Sequence, residues 1–197
     1  GGSANAVSAD LSNAEQVTAM AEEAMGLKGS IDILVNNGGT IHRAPATDFP
    51  LSAWQHVLAV NLDSAFILSQ AIGRNMIQQQ QGKIINIASM LSYSGGITVP
   101  AYTASKHAIA GLTKALANEW GQFNIQVNAI APGYIKTDNT QALQDDEKRS
   151  SEICARIPAG RWGQTDDLAG AVVFLASQAS NYVNGHTLAV DGGFLAR

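Results

Sequence analysis

The run Lys83-Ile84-Ile85-Asn86-Ile87-Ala88 constrains this chain more than any other stretch. A strand with one wet face alternates apolar and polar side chains; this one is apolar almost throughout, the pattern of a strand covered on both faces in a parallel sheet. Ile125 to Ala131 reads the same way and stops at Pro132-Gly133. Ile31 to Val35, His186 to Val190 and the short run Ala6-Val7-Ser8-Ala9, ending at Asp10, supply further strands. Helical patterns lie between them. Ser12 to Met25 has Ser12 as N-cap, Glu15 in a capping box and an apolar stripe of Val17, Met20, Ala21 and Ala24. From Leu51 to about Gln78 the positions Trp54, Leu58, Ala65, Leu68, Ile72 and Met76 share one face, and Tyr102 to about Gly121 carries Ile109, Leu112, Leu116 and Trp120. Thr165 to Ser177 is a helix capped by Thr165. Strands alternating with helices of this length predict the doubly wound α/β class with right-handed crossovers.

At 197 residues, 46% of them hydrophobic, the chain has material for one sizeable core, so residues 1–197 are expected to form a single domain. Gly1-Gly2-Ser3 reads as the tail of a loop or linker. A formal charge of -4 with no basic run argues against nucleic acid as a partner. No long uncharged apolar segment and no signal-peptide pattern occurs, so a membrane partner is not expected and the expected location is the cytoplasm. The lone Cys154 excludes an intrachain disulfide and reads as a small apolar side chain, and His42, His56, His107 and His186 have no ligand spacing, so no metal is expected.

In sheets of this class the site lies beyond the carboxyl ends of the strands. Asn36-Asn37-Gly38-Gly39, Ser89 and Pro132 to Thr137 all follow strands, and Tyr102 opens a helix reached from the same edge. Tyr102 and Lys106 lie one helical turn apart on one face. At roughly 5 Å and an effective dielectric near 20, the ammonium lowers the phenol's pKa by about two units. A tyrosine so shifted can transfer protons near neutral pH. Asn61 places an amide on an apolar seam, where it must find partners, either a neighbouring backbone or something functional. The polar stretch from Asp138 to about Pro158 has helical propensity but no wide apolar face, and looks like a lid.

Together, Asn36 to Gly39, Asn61, Ser89, Tyr102-x-x-x-Lys106 and Pro132-Gly133-Tyr134-Ile135-Lys136-Thr137 resemble, in order and spacing, the classical short-chain dehydrogenases/reductases over essentially the whole chain. Lys83 to Ser94, Ala117 to Thr140 and Arg156 to Arg197 are most similar to members that act on deoxy sugar acids of the 2-dehydro-3-deoxy-D-gluconate type. The resemblance implies a Rossmann-like domain and hydride transfer between a nicotinamide cofactor, NAD with NADP as the other possibility, and a keto or hydroxy group of such an acid. It implies Tyr102 as general acid/base, Lys106 lowering its pKa and bonding the nicotinamide ribose, Ser89 holding the substrate oxygen, and Asn61 fixing a water that joins Lys106 to solvent. For the cofactor it implies Asp10 and Leu11 near the adenine, Asn36, Gly38 and Gly39 near the adenosine ribose, and Tyr102, Lys106, Pro132, Gly133, Ile135 and Thr137 along the nicotinamide half. An acidic sugar calls for a cation, for which Arg43, then Arg149 and Arg161, are the candidates. A homo-oligomer, a tetramer, is the expected assembly.

Gly38 stands where the family usually has Ala, which keeps the tight turn. The resemblance begins at the family's third strand. The glycine-rich turn that grips the pyrophosphate and the residue that selects NAD over NADP are not among these residues, and two strands and two helices are expected to precede them. Two other functions fit the same scaffold: a non-catalytic or regulatory descendant, and a dehydrogenase of another carbonyl such as a 3-oxoacyl thioester. Intact Asn61, Ser89, Tyr102 and Lys106 argue against the first. The acidic lid, without a basic patch for a phosphopantetheine carrier, argues against the second.

Overall fold

The computed structural model describes residues 2–197; Gly1 and the side chain of Lys28 lie outside the described part. Four strands form one sheet, β1 (Ile33–Asn36), β2 (Gly82–Ile87), β3 (Ile125–Pro132) and β4 (Thr187–Val190), all parallel and in that order. Helix α1 (Ala14–Lys28) precedes β1; α2 (Leu51–Leu58) and α3 (Ser64–Gln79) join β1 to β2, and α4 (Pro100–Trp120) joins β2 to β3. The chain then forms α5 (Gln141–Gln144), α6 (Glu147–Arg156) and α7 (Ala169–Ala176) before β4. Ile84 and Val127 on one sheet face pack with Ile72, Met76, Leu116 and Trp120 of α3 and α4, while Ile85 and Ile130 on the other face meet Leu175 of α7. The sheet is thus covered on both faces, which is why β2 and β3 are apolar throughout. No helix among the described residues is long and apolar enough to cross a membrane.

Several boundaries differ from the sequence expectation. Residues 6–9 form no strand. A strand exists by pairing, and no described strand runs beside them; β1 is itself an edge, with Ile33 and Val35 exposed. The N-cap of α1 is Asn13, whose Oδ1 accepts from the backbone N–H groups of Glu15 and Gln16, while Ser12 donates instead to Asp10. The long helix expected from Leu51 is broken by a π-helical turn over Ala59–Asp63. That turn inserts about one extra residue per winding, and Asn61 within it is buried, on the apolar seam where its spacing put it. Thr165 does not cap; it begins a 3-10 turn, Thr165–Leu168, capped by Gln164, and α7 follows. The lid stretch does own an apolar stripe, Ile153 and Ile157 one turn apart, which packs on Trp162.

A buried polar ladder crosses the sheet beneath the site. Asn36 and Asn86 are register partners on β1 and β2. Asn36 Nδ2 donates to Asn86 Oδ1 at 2.8 Å and Ser69 Oγ at 3.1 Å, and Asn86 Nδ2 donates to Thr113 Oγ1 at 2.9 Å. The ladder fixes α3 and α4 to the strands at one height, because any slip leaves buried amides unpaired. Asn86→Ala, which takes one partner from each of Asn36 Nδ2 and Thr113 Oγ1 and leaves a cavity between them, is expected to lower stability by about 2 kcal/mol in urea denaturation, with an unchanged slope.

Candidate active site

The four residues expected to share a site come from three different elements, and the fold gathers them at the carboxyl ends of the strands. Ser89 follows β2 and caps the 3-10 turn Met90–Ser92; its Oγ accepts from the Leu91 N–H at 3.1 Å, which leaves the hydroxyl proton free to donate. Tyr102 and Lys106 stand in the first turns of α4, a helix started by Pro100 at its first position. Lys106 is 4% exposed, and its Nζ donates to the Ile87 carbonyl at 2.6 Å and sits 5.5 Å from the centroid of the Tyr102 ring. Ile87 is its one protein acceptor among the described residues, so two of its N–H groups point at no protein oxygen.

Asn61, 3% exposed, binds three elements together. Its Oδ1 accepts from the Thr40 N–H at 2.7 Å, and its Nδ2 donates to the Thr40 carbonyl and to Ser105 Oγ, both at 3.0 Å. Ser105 in turn donates to the Tyr102 carbonyl at 2.8 Å. Both amide hydrogens are therefore spent on the protein, and the side chain serves as a clamp. A second tie runs from Ser92 Oγ to the Lys106 carbonyl at 2.5 Å. The loop after β1, the turn after β2 and the start of α4 are thus one rigid unit. Ser105 and Thr40 were not singled out in the sequence; the adjacency of Ser105 to Lys106 was the available signal.

The pKa expectation for Tyr102 is reversed. Burial raises the phenol above its ordinary value and outweighs the hydrogen-bonding Ser89 side chain and the Arg43 charge, which pull it down. Lys106 is itself pushed down to about 8 by burial. An estimate made from spacing alone counts the attraction between phenolate and ammonium and omits the desolvation of both.

A cavity of about 380 Å³ opens onto this unit, lined by Ser89, Tyr102, Tyr134, Phe194 and three arginines, Arg43, Arg149 and Arg156. No carboxylate side chain lines it. Arg161 is elsewhere: its Nη1 and Nη2 bond the two carboxylate oxygens of Asp167 at 2.7 and 2.9 Å, which removes it as a substrate ligand in this arrangement. Arg149 is paired with Glu152 at 3.2 Å, both half-exposed. Arg156, absent from the sequence candidates, faces the same cavity.

The remaining expected positions surround the same edge. Asn37, Gly38 and Gly39 are exposed on the turn after β1, whereas Asn36 is turned inward and leaves its Oδ1 buried without a partner. A Cβ on Gly38 would collide with Leu11, and one on Gly39 would stand 3.7 Å from Asn61 Oδ1 and 3.9 Å from Lys106 Nζ. Both of the latter are ordinary contact distances, so residue 39 borders the ammonium directly. Asp10, exposed, is occupied by Ser12, whose backbone and hydroxyl donate to it and hold its carboxyl below the usual value. Gly133 lies so close to β4 that a Cβ would come within 2.6 Å of Asp191 Cα. Beyond Pro132, Ile135 is buried, with its carbonyl held by Thr140 at 2.7 Å, while Thr137 stays exposed at the start of the next turn.

Comparison with known proteins agrees with this geometry. The family described as Enoyl-(Acyl carrier protein) reductase matches residues 1–195. Over 188 residues the chain is 64% identical to the 2-dehydro-3-deoxy-D-gluconate 5-dehydrogenase of Bacillus subtilis, covering 95% of this chain and 74% of that protein. A solved structure from Beutenbergia cavernae with NADP bound at low occupancy superposes with a TM-score of 0.97 at 54% identity, over 100% of this chain and 79% of that one. The gluconate 5-dehydrogenase of Burkholderia cenocepacia in complex with NADP and tartrate gives a TM-score of 0.92 at 46% identity, over 95% and 74%.

Lys106 titrates near 8 in the folded chain and near 10.5 unfolded, so the unfolded state holds the extra proton between those values and stability rises with pH across that window. Below it, the buried charge costs on the order of 3 kcal/mol. Lys106→Met is therefore expected to be more stable than the parent at pH 7, by up to about 3 kcal/mol, with the difference shrinking from pH 8 to pH 10 in urea titrations.

Proposed function

The chain belongs to the short-chain dehydrogenase/reductase family, and from that premise we propose that it interconverts a keto and a hydroxy group of a deoxy sugar acid of the 2-dehydro-3-deoxy-D-gluconate type, using NAD or NADP. The observation that carries this reading is the cavity in which the Ser89 and Tyr102 hydroxyls meet three arginines and no carboxylate. A neutral carbonyl substrate gives no reason for that charge; an acid does. The names of the Bacillus subtilis and Burkholderia cenocepacia relatives support the substrate class.

A nicotinamide dinucleotide fits the residues present. The two unclaimed N–H groups of Lys106 match ribose hydroxyls, and Gly39 borders that ammonium without a side chain. When bound, it supplies or accepts the hydride. In reduction, Tyr102 Oη gives its proton to the substrate oxygen as that oxygen gains charge, while the free Ser89 hydroxyl donates to the same oxygen and fixes its position. Lys106, close to the ring, stabilises the phenolate left behind. In oxidation, the phenolate takes the hydroxyl proton. Because burial raises the phenol's pKa, oxidation gains rate as pH rises, whereas reduction starts from the protonated form that dominates at neutral pH.

Asn61 acts at one remove. By holding Thr40 to Ser105 it keeps the turn after β1 and the start of α4 in register, so the groups that meet substrate and cofactor do not drift apart. We also propose a cytoplasmic homotetramer. Phe66 on α3, Val173 and Phe174 on α7, and Tyr182 are large apolar side chains exposed on a single chain, which supports burial between copies. The intracellular pool of nicotinamide dinucleotide supports the location.

The deciding assay follows NADH and NADPH absorbance with 2-dehydro-3-deoxy-D-gluconate, gluconate and an acetoacetyl thioester. Sugar-acid turnover is expected with the parent, with a loss of about 10²–10⁴-fold in Tyr102→Phe. Full activity in that variant overturns the proton-transfer role, and turnover of the thioester alone overturns the substrate class. Light scattering on a sizing column is expected to return four times the chain mass, and a monomer would refute the assembly.

A further inference from the structure

The three guanidinium groups around the cavity are not equivalent. Arg149 is partly neutralised by Glu152, at 3.2 Å. Arg43 acts on the reactive phenol, whose charged form it favours. Arg156, the last residue of α6, does neither: its guanidinium carbon lies 4.4 Å over the centroid of the Phe194 ring, and no carboxylate among the described residues is within ion-pair distance of it. Stacking occupies the flat face of a guanidinium and leaves its N–H edge free. That edge is the one that takes a carboxylate bidentately.

The platform is fixed in turn. Phe194 packs edge-on against Tyr134 at 5.4 Å, Tyr134 against Trp162 at 5.5 Å, and Trp162 Nε1 donates to Ser150 Oγ of α6 at 3.0 Å. Arg197 Nη1 reaches the Ala155 carbonyl, next to Arg156, at 2.9 Å. Phe194 and Tyr134 also line the cavity. The arginine therefore has a preorganised direction without having spent its charge on a protein acid. An exposed arginine in the last turn of a helix is also what favourable interaction with the helix dipole provides, so its position alone does not assign it a role. The aromatic stack inside an acid-free cavity does.

We propose that Arg156, held on Phe194, is the specificity-determining residue that binds the carboxylate of the substrate, a division of labour in which Arg43 serves the reacting end. The inference rests on the sugar-acid reading of this site.

Its test compares kinetics on the sugar acid turned over best and on its uncharged amide, for the full chain and for Arg156→Gln, Arg156→Lys and Phe194→Leu. In Arg156→Gln, KM for the acid is expected to rise about 10- to 100-fold with kcat changed less than about threefold, and the amide to be unaffected. Arg156→Lys is expected to recover only part of the loss, because a point charge lacks the fork, and Phe194→Leu to fall between. Equal losses on acid and amide, or an unchanged KM for the acid in Arg156→Gln, would sink the inference while leaving the sugar-acid reading intact, provided the parent prefers the acid. A parent with no preference for acid over amide overturns both.

Discussion

A charged ammonium held almost out of water against a single carbonyl is the constraint around which this molecule is built. Lys106 is 4% exposed and bonds the Ile87 carbonyl at 2.6 Å, so its burial is tolerable only where that carbonyl, at the end of β2, cannot move. Everything that fixes the end of β2 against the start of α4 serves this need. Ser92 returns from the turn after β2 to the Lys106 carbonyl, and Asn61 reaches α4 through Ser105 from the other side. Packing alone is non-directional and would allow the helix to slide by a fraction of a turn; the hydrogen bonds specify one register.

The same logic runs deeper into the sheet. Ser69, Asn36, Asn86 and Thr113 replace apolar side chains at positions where packing would be content with valine or leucine. Their net contribution to stability is modest, yet a misplaced strand leaves several buried amides unpaired at once, at about 1–3 kcal/mol each. The ladder ends at Asn36, whose Oδ1 has no partner. Just beyond it the chain passes through Gly39, beside Lys106 and Asn61, so the polar seam of the core leads into the polar floor of the site.

Much of this was legible in the residues. Continuous apolar runs gave β2 and β3, turn residues gave their ends, and the joint spacing of Asn61, Ser89, Tyr102 and Lys106 gave the cluster. What periodicity cannot detect is an inserted residue, and the π turn at Ala59–Asp63 is one, although the inward position of Asn61 was legible from its spacing. Nor can a short run announce whether it has a partner, which is why residues 6–9 read as a strand and are not one. Adjacent capping candidates such as Ser12 and Asn13 are separated only by geometry. Among the arginines, the partners lie at different ranges: Arg161 is paired with Asp167, six residues on, at 2.7 Å, while Arg156 is stacked on Phe194, far along the chain and out of reach of a local reading.

The electrostatics of the central pair show why spacing is a poor guide to chemistry. Two groups one helical turn apart in water would shift each other by attraction, the phenol downward and the ammonium upward. Enclosed in the same pocket they move the opposite way, the phenol above its ordinary value and the ammonium down to about 8, because burial strips solvent from the charged form of each. The two titrations are driven apart: the phenol rises from an ordinary value of 10.0, while the ammonium falls from 10.5 to about 8. Hydrogen-bond acceptors set against the two unclaimed N–H groups favour the charged ammonium, and a charged ammonium favours the phenolate. The proton chemistry of Tyr102 is therefore governed by what fills the space beside Lys106, the space that Gly39 borders.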